Sequence, residues 1–179
     1  MSYSSGEIHA LQLDQRMHDD LYHPDISRLD LSRRIAHLTL HLSKYCGDLA
    51  VAMPAENSAA VHKALVDCAI ISLSAATAVN VELGVQRSSD CDPVSHLGFL
   101  MRLVARVGRI AKAAEALDHV EDYPFRKVWE EEFSKIFHMS VSEIDERAAR
   151  PGGAFDEMRS RLDFVKSKNS FGIPARTSL

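Results

Sequence analysis

The sequence predicts an all-α fold: a helical bundle whose four-helix core is built from two tandem helical hairpins, with peripheral terminal helices packed around it. Three observations predict it. Apolar residues recur at steps of three and four along most of the chain, and no segment sustains the period-two alternation of a half-buried strand. Eight glycines and six prolines among 179 residues are too few for the many turns of an all-β fold. A helix-patterned segment also recurs: His41 to Ala52 aligns without gaps with Arg102 to Ala113, matching Leu42 with Leu103, Gly47 with Gly108, Ala50 with Ala111 and Ala52 with Ala113. A glycine inside a helix is disfavoured by about 1 kcal/mol. The paired glycines are therefore expected to mark two close helix crossings, where Gly47→Leu would overpack the contact by about 1–3 kcal/mol.

The elements follow in order. Glu7 to Leu21 reads as a short polar helix, opened by Ser4 and Glu7 in capping-box spacing and broken at His23-Pro24. Asp30 or Ser32 caps the next helix, which runs to about Met53 and stops at Pro54; its apolar stripe is Ile35, Leu38, Leu42, Tyr45, Leu49 and Met53. Asn57 caps a helix from Ser58 to Leu83, closed by Gly84 and apolar nearly all round beyond Val66, the pattern of an enclosed helix. Residues 86–92 read as a loop. Asp92-Pro93 supplies a cap and a proline at the first helical position of a fourth helix that reaches about Val120. Asp122-Tyr-Pro124 breaks the chain before a fifth helix, Phe125 to Phe137. Ser140 and Glu143 have capping-box spacing and open a charged sixth helix to about Arg150, ended by Pro151-Gly-Gly153. A last amphipathic piece spans Phe155 to Val165. The chain thus reads as one domain over residues 1–165, its core about 30–137, with residues 166–179 as a disordered tail.

Composition narrows the function classes. A formal charge of −4 gives no global attraction to nucleic acid or to an anionic membrane. Cys46, Cys68 and Cys91 are neither a disulfide framework nor a zinc motif. Buried, reduced thiols fit a reducing compartment. The N-terminus has no basic head followed by an apolar run, so no signal peptide is read there. The apolar run Val66 to Val81 is interrupted by Asp67, Ser72, Ser74, Thr77 and Asn80, which favours a buried core helix over a membrane span. The expectation is a soluble cytoplasmic protein.

Three polar constellations carry the chemistry. His37, His41, Lys44 and Asp48 share one helix face; an i, i+4 histidine pair can hold a metal ion, and a solvated face is the alternative. No glutamate lies between the histidines, so a metalloprotease helix is excluded. Asp67 opens the most apolar segment, where burial of a carboxylate demands a metal or a cationic partner. Arg102, Arg106 and Arg109 form a basic stripe suited to phosphate or carboxylate, or to an internal network against Asp48, Asp67 or an acid among residues 130–132. Trp129 and Phe133, one turn apart, read as core.

At these residues the chain resembles the MazG-like family, the all-α nucleoside triphosphate pyrophosphohydrolases that include the dimeric dUTPases. Leu42-Ser-Lys-Tyr-Cys-Gly-Asp-Leu-Ala50 follows the frame of the family's first core helix, which carries Glu-x-x-Glu. Ala64-Leu-Val-Asp67 and Ala76-Thr-Ala-Val-Asn-Val-Glu-Leu83 follow the start and end of the second, which carries Glu-x-x-Asp. The resemblance spans about Ile35 to Phe137. It implies a dimer that binds a small phosphorylated ligand, a nucleotide or relative, and hydrolyses it with Mg²⁺. Asp48 and Asp67 would hold the metal, and Lys44, Arg106 and Arg109 would neutralise phosphate, with His37 and His41 as accessories. The family's four carboxylates fall here on Tyr45, Asp48, Ala64 and Asp67, so two remain. The competing expectation is a non-catalytic interaction or regulatory protein that keeps only the bundle.

Overall fold

The computed structural model of the chain describes residues 3–84, 95–148 and 153–169. It is all-helical, with seven helices among the described residues: α1 (Ser5–Tyr22), α2 (Pro24–Ser27), α3 (Leu31–Ala52), α4 (Ser58–Ala78), α5 (His96–Asp118), α6 (Phe125–Ala148) and α7 (Gly153–Asn169). The hairpins α3–α4 and α5–α6 pack on each other through α3 against α5 and, most extensively, α4 against α6. The terminal helices α1 and α7 both lie on α4 and touch each other. α4 is consequently covered on every side, and most of its residues from Ala64 to Ala76 are buried. Trp129, Phe133 and Phe137 on α6 are the largest fully enclosed side chains, and the Trp129 indole N–H donates to the Ile110 carbonyl at 3.3 Å.

Several boundaries follow the local signals. Ser4 and Glu7 complete a reciprocal capping box, Asp30 rather than Ser32 caps α3, and Asn57 caps α4. The proposed Asp92-Pro93 cap lies outside the described residues; α5 opens instead with Ser95 accepting from the Gly98 N–H.

Other boundaries differ. α4 ends at Ala78, before Gly84, in a Schellman closure: Val81 N donates to Ala76 O and Asn80 N to Thr77 O, with Asn80 at φ 58°. Gln12 then anchors the segment leaving α4, donating to Val81 O and accepting from Leu83 N. The same closure ends α5, with Val120 in the left-handed position at φ 56°. The expected break between a fifth and a sixth helix is absent. Ser140 sits fully buried within a continuous α6, because the stripe Ile136, Phe137, Ser140, Ile144 runs straight through it. Glu143 bonds forward to Arg147 at 2.7 Å instead of back to a cap. α7 also reaches Asn169, so 166–169 belong to a helix; the rest of the expected tail, and the Pro151-Gly152 part of the stop, lie outside the described residues.

The glycine expectation is overturned. Gly47 and Gly108 both face outward, and a Cβ built on either would meet no heavy atom within 4 Å. Among the described residues, no helix crosses closely at either position.

Candidate functional site

Each core hairpin buries one carboxylate, and each carboxylate is met by cations of its own chain. On α4, Asp67 is 5% exposed. Arg161 of α7 approaches it in a fork, Nε to Oδ1 at 2.7 Å and Nη2 to Oδ2 at 3.3 Å, while Lys63, one turn before it, reaches Oδ2 at 3.2 Å. On α6, Glu132 is 4% exposed and receives Arg106 at 2.9 Å and Arg109 at 3.0 Å from α5, with Lys135 at 3.8 Å. The internal network, one of the two readings of the basic stripe, is therefore what the structure contains for Arg106 and Arg109. Burial of a charge is tolerated when the partner is this close and bidentate.

Lys44 and Asp48 lie exposed on α3, the ammonium of Lys44 resting 4.2 Å from the Tyr45 ring centroid. Tyr45 itself is buried; desolvation, then the charge of Asp67, pushes its phenol well above the ordinary value. Magnesium requires hard oxygen ligands that are free to coordinate. Both oxygens of Asp67 are engaged, and among the described residues no group of three or more His, Cys, Asp or Glu side chains is arranged to hold a metal ion. The acid pair as it stands does not fit a magnesium site.

A different constellation is brought together at the ends of α1, α2, α3 and α4. There a cleft of about 110 Å³ is lined by Asp19, His23, Arg34, His37, His41 and Ser74, with Leu38 and Ile71 as its apolar wall. Arg34, His37 and His41 follow at steps of three and four, so one face of α3 presents all three. Asp19 is the only acid in the lining among the described residues, and its carboxylate is held: Gln15 donates to Oδ1 at 2.8 Å and the Ser74 hydroxyl to Oδ2. Arg34 is held loosely. Its Nη1 reaches the Ser27 carbonyl at 3.5 Å, its Nη2 stands 3.8 Å from Asp19, and its buried Nε has no hydrogen-bond partner.

The Nε2 atoms of His37 and His41 face each other at 3.1 Å, and the buried Nδ1 of His41 is without a partner. Burial, then the neighbouring charges of His37 and Lys44, hold the His41 imidazole below its ordinary pKa, which favours the neutral ring. His23 adds a third imidazole to the lining and stacks obliquely on His18 at 5.5 Å.

Of the residues singled out from the sequence, the structure brings His37 and His41 together but divides the remainder between the solvated face and two ion-pair networks. Sequence reasoning missed Arg161, Asp19, Arg34 and His23. Only Arg34 left a local signal, its place one turn before His37 on a common face. Comparison with known proteins adds no neighbour: no family model matches the chain, and neither a curated protein nor a solved structure is significantly similar to it.

Proposed function

We propose that this protein is a non-hydrolytic binding protein, a MazG-like bundle in which ion pairs engage Asp67, one of the two acids left at the positions of the family's acid site, and that it takes a small anionic group in the cleft at Arg34. One observation carries the reading: the loosely held Arg34 guanidinium lines the cleft beside three imidazoles, while Asp19, the one acid among the described lining residues, is engaged by hydrogen bonds from Gln15 and Ser74. Guanidinium groups recognise phosphate and carboxylate with paired, directional N–H donors. The cleft is well below the ~300–1,000 Å³ of pockets that enclose a drug-sized ligand. It suits a phosphate or carboxylate group whose remainder stays outside. The free thiols Cys46 and Cys68 suit a reducing compartment such as the cytoplasm.

A thermal-shift panel of inorganic phosphate, citrate and nucleoside mono- and triphosphates, with and without Mg²⁺, tests this. A ligand at a hundredfold excess over its dissociation constant stabilises by about 2.7 kcal/mol. The expected result is stabilisation by at least one anion, indifferent to Mg²⁺ and lost in Arg34→Met. No shift across the panel would overturn it. A Mg²⁺-dependent shift with one nucleotide class, abolished by Asp67→Asn, would restore the hydrolytic alternative in which Asp48 and Asp67 hold the metal and Lys44, Arg106 and Arg109 the phosphate.

A further inference from the structure

The imidazole pair on α3 has a geometry that a solvated face does not need. We propose that His37 and His41 form a two-histidine clamp for a divalent transition-metal ion such as zinc, the remaining coordination positions opening into the cleft. The proposal stands on the imidazole geometry and does not depend on the cleft taking an anion.

The Nε2 atoms converge to 3.1 Å while the ring centroids are 4.7 Å apart, so the rings are turned nitrogen to nitrogen rather than stacked. Two imidazole nitrogens bound to one tetrahedral zinc at about 2.0–2.1 Å stand about 3.3 Å apart. The observed separation is within a few tenths of an ångström of that value, and a small rotation of either ring about its χ2 supplies the difference. Both rings are half-buried. Imidazole nitrogen selects zinc, copper or nickel over magnesium or calcium.

The bare pair can also form an imidazole–imidazole hydrogen bond, one neutral ring donating to the other. That bond leaves the other ring nitrogen of His41 buried without a partner. Nothing in the core requires it, since Leu38 and Leu42 on the adjoining face already anchor α3. No third His, Cys, Asp or Glu converges on the pair among the described residues. The clamp is therefore two-coordinate from the protein, and its ion exchanges, unlike the ion of a closed structural site. His23 lines the same cleft.

The test uses the full chain, stripped with chelator and titrated with Co²⁺ alone, followed by displacement with Zn²⁺. The expected result is one equivalent of Co²⁺ bound and displaced by Zn²⁺. Binding should weaken by more than about tenfold in His37→Gln and in His41→Gln, since even outer-shell partners of metal sites contribute that much. It should be unchanged in His119→Gln, whose ring is exposed at the end of α5. Absence of a stoichiometric equivalent, or binding that survives both substitutions, overturns the proposal. Should either variant unfold, imidazole nitrogen NMR of the unaltered protein decides: zinc is expected to shift the Nε2 resonances of His37 and His41, and shifts confined to other histidines would sink the clamp.

Discussion

Arg161→Met removes the guanidinium that meets Asp67 while keeping most of the side-chain stem. Asp67 then loses a 2.7 Å and a 3.3 Å charge-assisted hydrogen bond and keeps only Lys63, whose side chain is 58% exposed. Hydrogen bonds to a charged group contribute about 1.5–3 kcal/mol each, and breaking a fully buried ion pair costs about 3–5 kcal/mol. Arg161 is itself one-quarter exposed, so solvent and Lys63 recover part of that loss. The expected destabilisation is about 2–3 kcal/mol, which for a chain of this length lowers Tm by about 4–12 °C. Urea and thermal denaturation of Arg161→Met, Asp67→Leu and the double variant measure it. Because the charge rather than the gap dominates, the double variant should recover much of the stability lost by Arg161→Met. An Arg161→Met protein that melts with wild type would refute the account, as would a double variant whose loss equals the sum of the two singles.

Three further outcomes follow from other parts of the molecule. Gly47→Ala and Gly108→Ala should each stabilise by about 0.5–1 kcal/mol, because the added methyl enters open space and the helix loses its most flexible residue; a lower Tm in either would mean that the face is occupied. Val120→Gly should raise Tm, since a β-branched residue held at φ 56° carries about 1–2 kcal/mol of strain, part of it offset by the greater freedom of glycine in the unfolded chain; an unchanged or lowered midpoint in urea would contradict the strain. Burial pushes the Cys46 thiol up to about 11, whereas an unfolded thiol ionises near about 8.5. The unfolded state therefore releases its proton first, so this contribution to stability is complete below the lower value and is lost as pH rises through the upper one. Cys46→Ala should flatten the alkaline fall of the urea midpoint, and an identical pH slope would remove Cys46 from that fall.

The helices were legible where the signals are local. Ser4 with Glu7, Asp30 and Asn57 each announce a helix start through atoms three residues apart, and the apolar stripes of α3 and α5 announce which faces turn inward. The same local rule failed at Ser140 and Glu143, where burial of the surrounding stripe outweighs a cap that the spacing alone would permit. Glycine was ambiguous for a related reason: its helix penalty is the same whether the missing side chain faces a neighbour or water, and Gly47 faces water. The site was less legible because its partners are remote. Asp67 announces that it needs a cation, but Arg161 lies 94 positions later. The cleft draws its polar lining from four helices, and only the face of α3 could be read from one stretch of sequence.

α4 meets a hazard before the bundle closes. Its 21 residues have a window mean hydropathy of 1.5, long and apolar enough to cross a bilayer, although 72% of that window is buried in the finished protein. During synthesis α4 emerges ahead of α6, which covers it, and of α7, which carries Arg161. Over that interval Asp67, with only Lys63 of its own helix beside it, is a charge near the midpoint of an apolar helix, and an aspartate there opposes membrane insertion by about 2.5–3.5 kcal/mol. The charge that burdens the folded core thus biases the nascent helix away from lipid and insertion machinery. Arg161 meets it only when α7, made after α6, packs against α4.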